Sequence, residues 1–75
     1  MSNTEPDTTR VQLALIGNAI GFWRINVDGE HFGYLSREPV HGYEVYKGTN
    51  WPDAQLLGRT FNLRKALLIA YMANQ

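Results

Sequence analysis

The chain has 75 residues, no cysteine and a formal net charge of zero, with seven Lys and Arg against seven Asp and Glu. That length carries one domain. The missing cysteine excludes disulfides and thiolate metal sites and makes a reducing compartment the default, while the even charge weighs against avid nucleic-acid binding.

No apolar run approaches the ~20 residues of a membrane-spanning helix, and the polar start does not read as a signal peptide. The expectation is a soluble, cytoplasmic protein with no membrane contact. Its core comes from two Trp, four Tyr, three Phe and the aliphatic residues. The charge is unevenly placed: no acid follows Asp53, whereas Arg59, Arg64 and Lys65 do.

Residues 1–8 carry no apolar side chain after Met1 and are expected to be a disordered lead-in to a single domain over residues 9–75. Val11-Gln12-Leu13-Ala14-Leu15-Ile16 alternates with period two and predicts a strand, with a helix over residues 6–20 as the competing reading because Thr4-Glu5-Pro6-Asp7 imitates a capping box. Gly17-Asn18 then signals a two-residue hairpin turn. Phe22-Trp23-Arg24-Ile25-Asn26-Val27 and Glu30-His31-Phe32-Gly33-Tyr34-Leu35-Ser36 flank Asp28-Gly29, the signature of a type I′ hairpin. A two-residue loop would set Val27 opposite Glu30, Ile25 opposite Phe32 and Trp23 opposite Tyr34. Trp23, Ile25, Val27, Phe32 and Tyr34 would then form the core face, leaving Phe22, Arg24, Asn26, His31, Leu35 and Arg37 on the other.

A turn at residues 38–42 leads to a strand, Tyr43-Glu44-Val45-Tyr46-Lys47. Residues 48–54 form the longest loop, in which an exposed Trp51 would be unusual. A brief strand near residues 55–58 feeds a helix whose N-cap is Thr60 or Asn62. The predicted fold is α+β: an antiparallel meander of four to five strands with one C-terminal helix packed on one face.

That helix is apolar nearly all the way round. Leu63, Ala66, Leu67 and Ala70 form a stripe suited to the sheet, and Leu68, Ile69 and Met72 form a second that a single sheet cannot also cover. Leu68, Ile69 and Met72 would each gain roughly 1.5–3 kcal/mol from full burial. The second stripe therefore predicts a two-fold homodimer or another protein partner, with Leu68, Ile69, Met72 and Trp51 as the partner-binding residues.

Signs of chemistry are sparse. His31 and His41 are the only histidines, each in or beside a turn, with no carboxylate at a ligand spacing. Ser2 and Ser36 lack the Gly-x-Ser-x-Gly context of a strained nucleophile. The glycines fall where turns need them and form no phosphate loop. The expectation is a protein that is not an enzyme, with no metal, cofactor or small-molecule substrate. Arg24, Arg37, Lys47 and Arg59, read as one sheet face among aromatic neighbours, provide the alternative: cations that hold phosphates beside rings that stack on bases.

Leu57-Gly58-Arg59-Thr60-Phe61-Asn62-Leu63-Arg64-Lys65-Ala66-Leu67-Leu68-Ile69-Ala70-Tyr71 resembles the end of an AP2-like domain, in which a strand ending in Leu-Gly-Thr-Phe runs into an Ala-rich helix. Trp23-Arg24-Ile25 resembles one of that family's strands, and some integrase arm-binding domains of mobile elements share the layout. The resemblance implies a sheet in the DNA major groove with Arg24, Arg37 and Arg59 as contacts. Arg59 is an insertion relative to the motif, and the family's dense basic strand residues are missing. Small cysteine-free chains of this kind also look like accessory proteins of phages and prophages, some of which inhibit host enzymes by docking.

Overall fold

The computed structural model describes residues 8–18 and 20–74. The expected lead-in falls outside them except for Thr8, which opens a single 3-10 turn, Thr8–Arg10. Five strands follow: β1 (Val11–Leu15), β2 (Phe22–Val27), β3 (Glu30–Glu38), β4 (Gly42–Lys47) and β5 (Gln55–Thr60). They form one antiparallel sheet in sequence order, and α1 (Leu63–Ala73) packs across one face. The fold is α+β, a meander closed by one C-terminal helix, and residues 11–15 are strand.

Turn chemistry explains the tightest hairpin. Asp28 and Gly29 have φ of 55° and 83°, the paired left-handed conformations that a type I′ turn requires. Arg10 adds a two-pronged ion pair to the Asp28 carboxylate. The Gly17-Asn18 hairpin is longer than expected. β1 ends at Leu15 and β2 starts at Phe22, and in the connection the Ile16 N–H donates to the Phe22 carbonyl (3.4 Å).

A β-bulge between β2 and β3 changes the register that the two-residue loop implied. Val27 pairs with Glu30 and Asn26 with His31, but Ile25 pairs with Gly33 and Trp23 with Leu35. Phe32 is the extra residue. Past it every β3 side chain lies on the side opposite to simple alternation, because strand side chains repeat every two residues. Leu35 is therefore core and fully buried, Arg37 follows it to the helix side, and Tyr34 moves to the open side. Gly33 sits where a Cβ would come within 1.9 Å of the Tyr46 carbonyl oxygen, so no other residue fits there.

The core lies between sheet and helix: Val11, Ile25, Val27, Phe32, Leu35 and Val45 below Ala66 and Ala70. Asn62 caps α1, its side-chain oxygen accepting from the Lys65 N–H (3.2 Å). The small residues Ala66 and Ala70 let the backbone approach, and Ile69 reaches in over Gly58.

Candidate docking surface

α1 begins just after β5 and ends over the Thr8–Arg10 turn, where the Arg10 guanidinium lies 5.8 Å from the Tyr71 ring centroid. It thus crosses the sheet obliquely. An 11-residue helix is about 16 Å long, and five strands set ~4.8 Å apart span about 19 Å before side chains are counted. One corner of the helix side stays open, where β1 ends, β2 begins and the β3–β4 turn lies.

That corner holds a cleft of about 500 Å³ lined by Leu15, Ile20, Gly21, Trp23, Arg37 and Pro39. The Arg37 N–H donates to the Gly21 carbonyl (2.7 Å), which ties the β1–β2 connection to the end of β3. Trp23 forms one wall and tilts against Tyr43, with ring centroids 6.4 Å apart. Leu15 is 63% and Ile20 98% exposed, and Val40 and Phe61 stand exposed in the turns at the same end. Arg37 supplies the cleft's charge, and its guanidinium has no hydrogen bond or ion pair among the described residues. The corner presents apolar surface with one available cation.

The opposite side of the sheet is furnished differently. Phe22 and Tyr34 stack with centroids 5.6 Å apart, and Trp51 meets Phe22, Tyr34 and Tyr46 edge-on at 4.7, 5.4 and 4.9 Å. The Trp51 loop is held by the Tyr34 hydroxyl donating to the Thr49 carbonyl (2.8 Å) and by Asn50 donating to Asp53 (3.0 Å). Beside this cluster Glu44 is buried. It accepts from Arg59 Nε (2.8 Å) and from the Tyr46 hydroxyl (2.9 Å). The Arg59 hydrogen bond foremost holds the Glu44 carboxyl below its ordinary pKa, whereas burial foremost pushes the Tyr46 phenol up.

The expected site residues are dispersed. Trp51 retains 42% exposure but lies against its own sheet, and Ile69 packs into the core, so the second helical stripe is reduced to part-buried Leu68 and exposed Met72. The four cations do not share a face. Arg24 and Arg59 lie on the open side, the former bonded to Asn26 (3.2 Å) and the latter to Glu44. Arg37 and Lys47 lie on the helix side, where the Lys47 ammonium stands 6.0 Å from the Phe32 ring centroid. His31 Nε2 lies 3.1 Å from the Gly33 carbonyl, and among the described residues no three His, Asp or Glu side chains converge as a metal site would need. No helix among them is long and apolar enough to cross a membrane.

In the sequence Leu15, Ile20, Val40 and Phe61 each resemble a core residue of the neighbouring strand, which hides them as surface. One signal was available: residues 11–23 carry no charged side chain. No protein-family model matches the chain, and no curated protein or solved structure does.

Proposed function

We propose that the chain is a small non-enzymatic binding protein, of the accessory or regulatory kind found in phages and mobile elements, that docks a protein partner at the open corner of its sheet. The observation that carries this reading is a cleft on which Leu15 and Ile20 stand exposed and whose charge is Arg37, with Val40 and Phe61 also exposed in the turns at that end of the sheet. Solvent-exposed apolar residues gathered at one end mark an interaction site more often than chance surface. Burying each such side chain contributes roughly 1.5–3 kcal/mol, and the available cation selects a partner with a carboxylate beside its apolar group.

The rival reading is DNA binding through Arg24, Arg37, Lys47 and Arg59. It has two cations on each side of the sheet, and one of the open-side pair is already matched by Glu44.

Pull-down from host lysate separates the two readings. A protein captured by the native chain, lost with Ile20→Glu, retained with Arg59→Ala and indifferent to nuclease supports corner docking. Capture that needs nucleic acid, fails with Arg24→Ala and falls steeply with salt overturns it.

A further inference from the structure

The two edges of the sheet are guarded unequally. β5 carries a bulge at its pairing with β4, a glycine and Arg59, and it runs directly into α1. These are features that discourage another strand from adding. β1, Val-Gln-Leu-Ala-Leu, has no charge, no proline, no glycine and an unbroken register.

Its backbone polarity follows from the ladder. The Asp28 N–H donates to the Arg10 carbonyl (3.0 Å) and the Ile16 N–H to the Phe22 carbonyl (3.4 Å). Antiparallel residues alternate between hydrogen-bonded and non-hydrogen-bonded pairs, so Arg10, Gln12, Ala14 and Ile16 direct their groups at β2. Val11, Leu13 and Leu15 turn theirs outward. Among the described residues nothing pairs with them.

We infer that this edge is where a second copy of the chain adds, β1 against β1 about a two-fold axis at Leu13, making a continuous ten-stranded sheet. The strand is complementary to itself. With the axis at Leu13, Val11 of each copy pairs with Leu15 of the other, and the outward N–H and C=O groups of all three residues meet as hydrogen-bonded pairs. Gln12 then lies across from Ala14 on the open side, and no like charges meet. Arg10 at the end of the seam is already matched by Asp28.

The seam is about 17 Å long, short by itself of the ~800 Å² a side that a standard stable interface buries. Exposed Leu15, and Ile20 in the adjoining connection, add apolar area at each end, toward the Thr8–Arg10 turn of the other copy. The chain's own leading residues are a poor occupant: Ser2-Asn3-Thr4-Glu5-Pro6-Asp7 offers two acids and no apolar side chain. The inference goes beyond corner docking, shares only Leu15 and Ile20 with it, and is tested through the backbone.

Sedimentation of the full chain from micromolar to millimolar concentration, paired with amide exchange at Leu13, is the experiment. The expected result is a particle of twice the 8.5 kDa chain mass, with the Leu13 amide exchanging more slowly as concentration rises. Leu15→Pro removes an outward N–H from an exposed edge position, where proline is tolerated. It should leave the circular dichroism spectrum unchanged and return a single chain, while Met72→Glu stays dimeric. A native chain that remains single overturns the inference whether its Leu13 amide exchanges fast or slowly, since slow exchange would mean that its own residues cover the edge. A dimer that Leu15→Pro leaves whole, or that Met72→Glu splits, overturns it equally. Ile20→Glu leaves the seam's backbone intact but trims its apolar flank, so its sedimentation is read alongside capture. Loss of partner capture by a variant that still sediments as the native chain does speaks to corner docking alone.

Discussion

On the helix side of the sheet Leu35 and Val45 have no exposed surface, and the residues below Ala66 and Ala70 are apolar. On the open side Phe22, Tyr34, Tyr46 and Trp51 bury one another only in part, and polar tips reach the surrounding backbone and Glu44. The helix side follows the ordinary logic of area removed from water. The open side shows how a five-stranded sheet with a single helix limits its wet face: a loop folds back and lays an indole over three rings. Stability should therefore reside chiefly on the first face, with the second contributing increments of about a kilocalorie.

The largest effect should come from the bulge that assigns side chains to the two faces. Gly33→Ala drives a methyl group into the Tyr46 carbonyl, a backbone atom that cannot move aside cheaply. Destabilisation above about 4 kcal/mol is expected, comparable with the whole stability of a small domain. A loss of the cooperative thermal transition would show it. A stable Gly33→Ala protein would mean that the bulge is not where the two faces are decided.

Leu35→Ala comes next. It empties a fully buried site and should cost about 2–5 kcal/mol by chemical denaturation. Trp51→Ala should cost less, about 1–2 kcal/mol, because the ring is 42% exposed and its edge contacts are worth roughly 0.5–1.5 kcal/mol each without being additive. If Trp51→Ala equals or exceeds Leu35→Ala, the open side is a second core and the comparison fails.

The smallest effect concerns Glu44. Its carboxyl titrates below the unfolded value, so its contribution is complete above about pH 4.3 and is lost as pH falls through the folded value. Glu44→Gln should destabilise by about 1 kcal/mol or less at neutral pH, since Arg59 stays half in water. The variant should also flatten the acid limb of the stability profile relative to the native chain. Asp28, held low by its hydrogen bonds from Arg10, leaves part of that limb in place. Equal slopes below pH 4 in the two proteins would remove Glu44 from the account.

Local chemistry made much of the fold legible. Asp28-Gly29 demanded left-handed backbone that only such residues adopt cheaply, and the alternation on either side could be satisfied only by an antiparallel pair. Asn62 offered an oxygen where the helix has free N–H groups, and Ala66 and Ala70 marked the face that comes closest to the sheet. These features depend on neighbours within a few residues.

The candidate site was hardly legible, because each of its parts depends on contacts far along the chain. A single extra residue at Phe32 moved Tyr34, Leu35 and Arg37 to opposite sides, and alternation alone cannot report it. That shift placed Arg37 in the apolar corner and broke up the expected set of cations. The angle of α1 turned Ile69 inward over Gly58, reducing the second stripe, and left Leu15 and Ile20 uncovered. Composition and turn residues thus determined which elements form and in what order. The bulge and the helix crossing, both settled by packing of distant segments, decided which side chains face a partner.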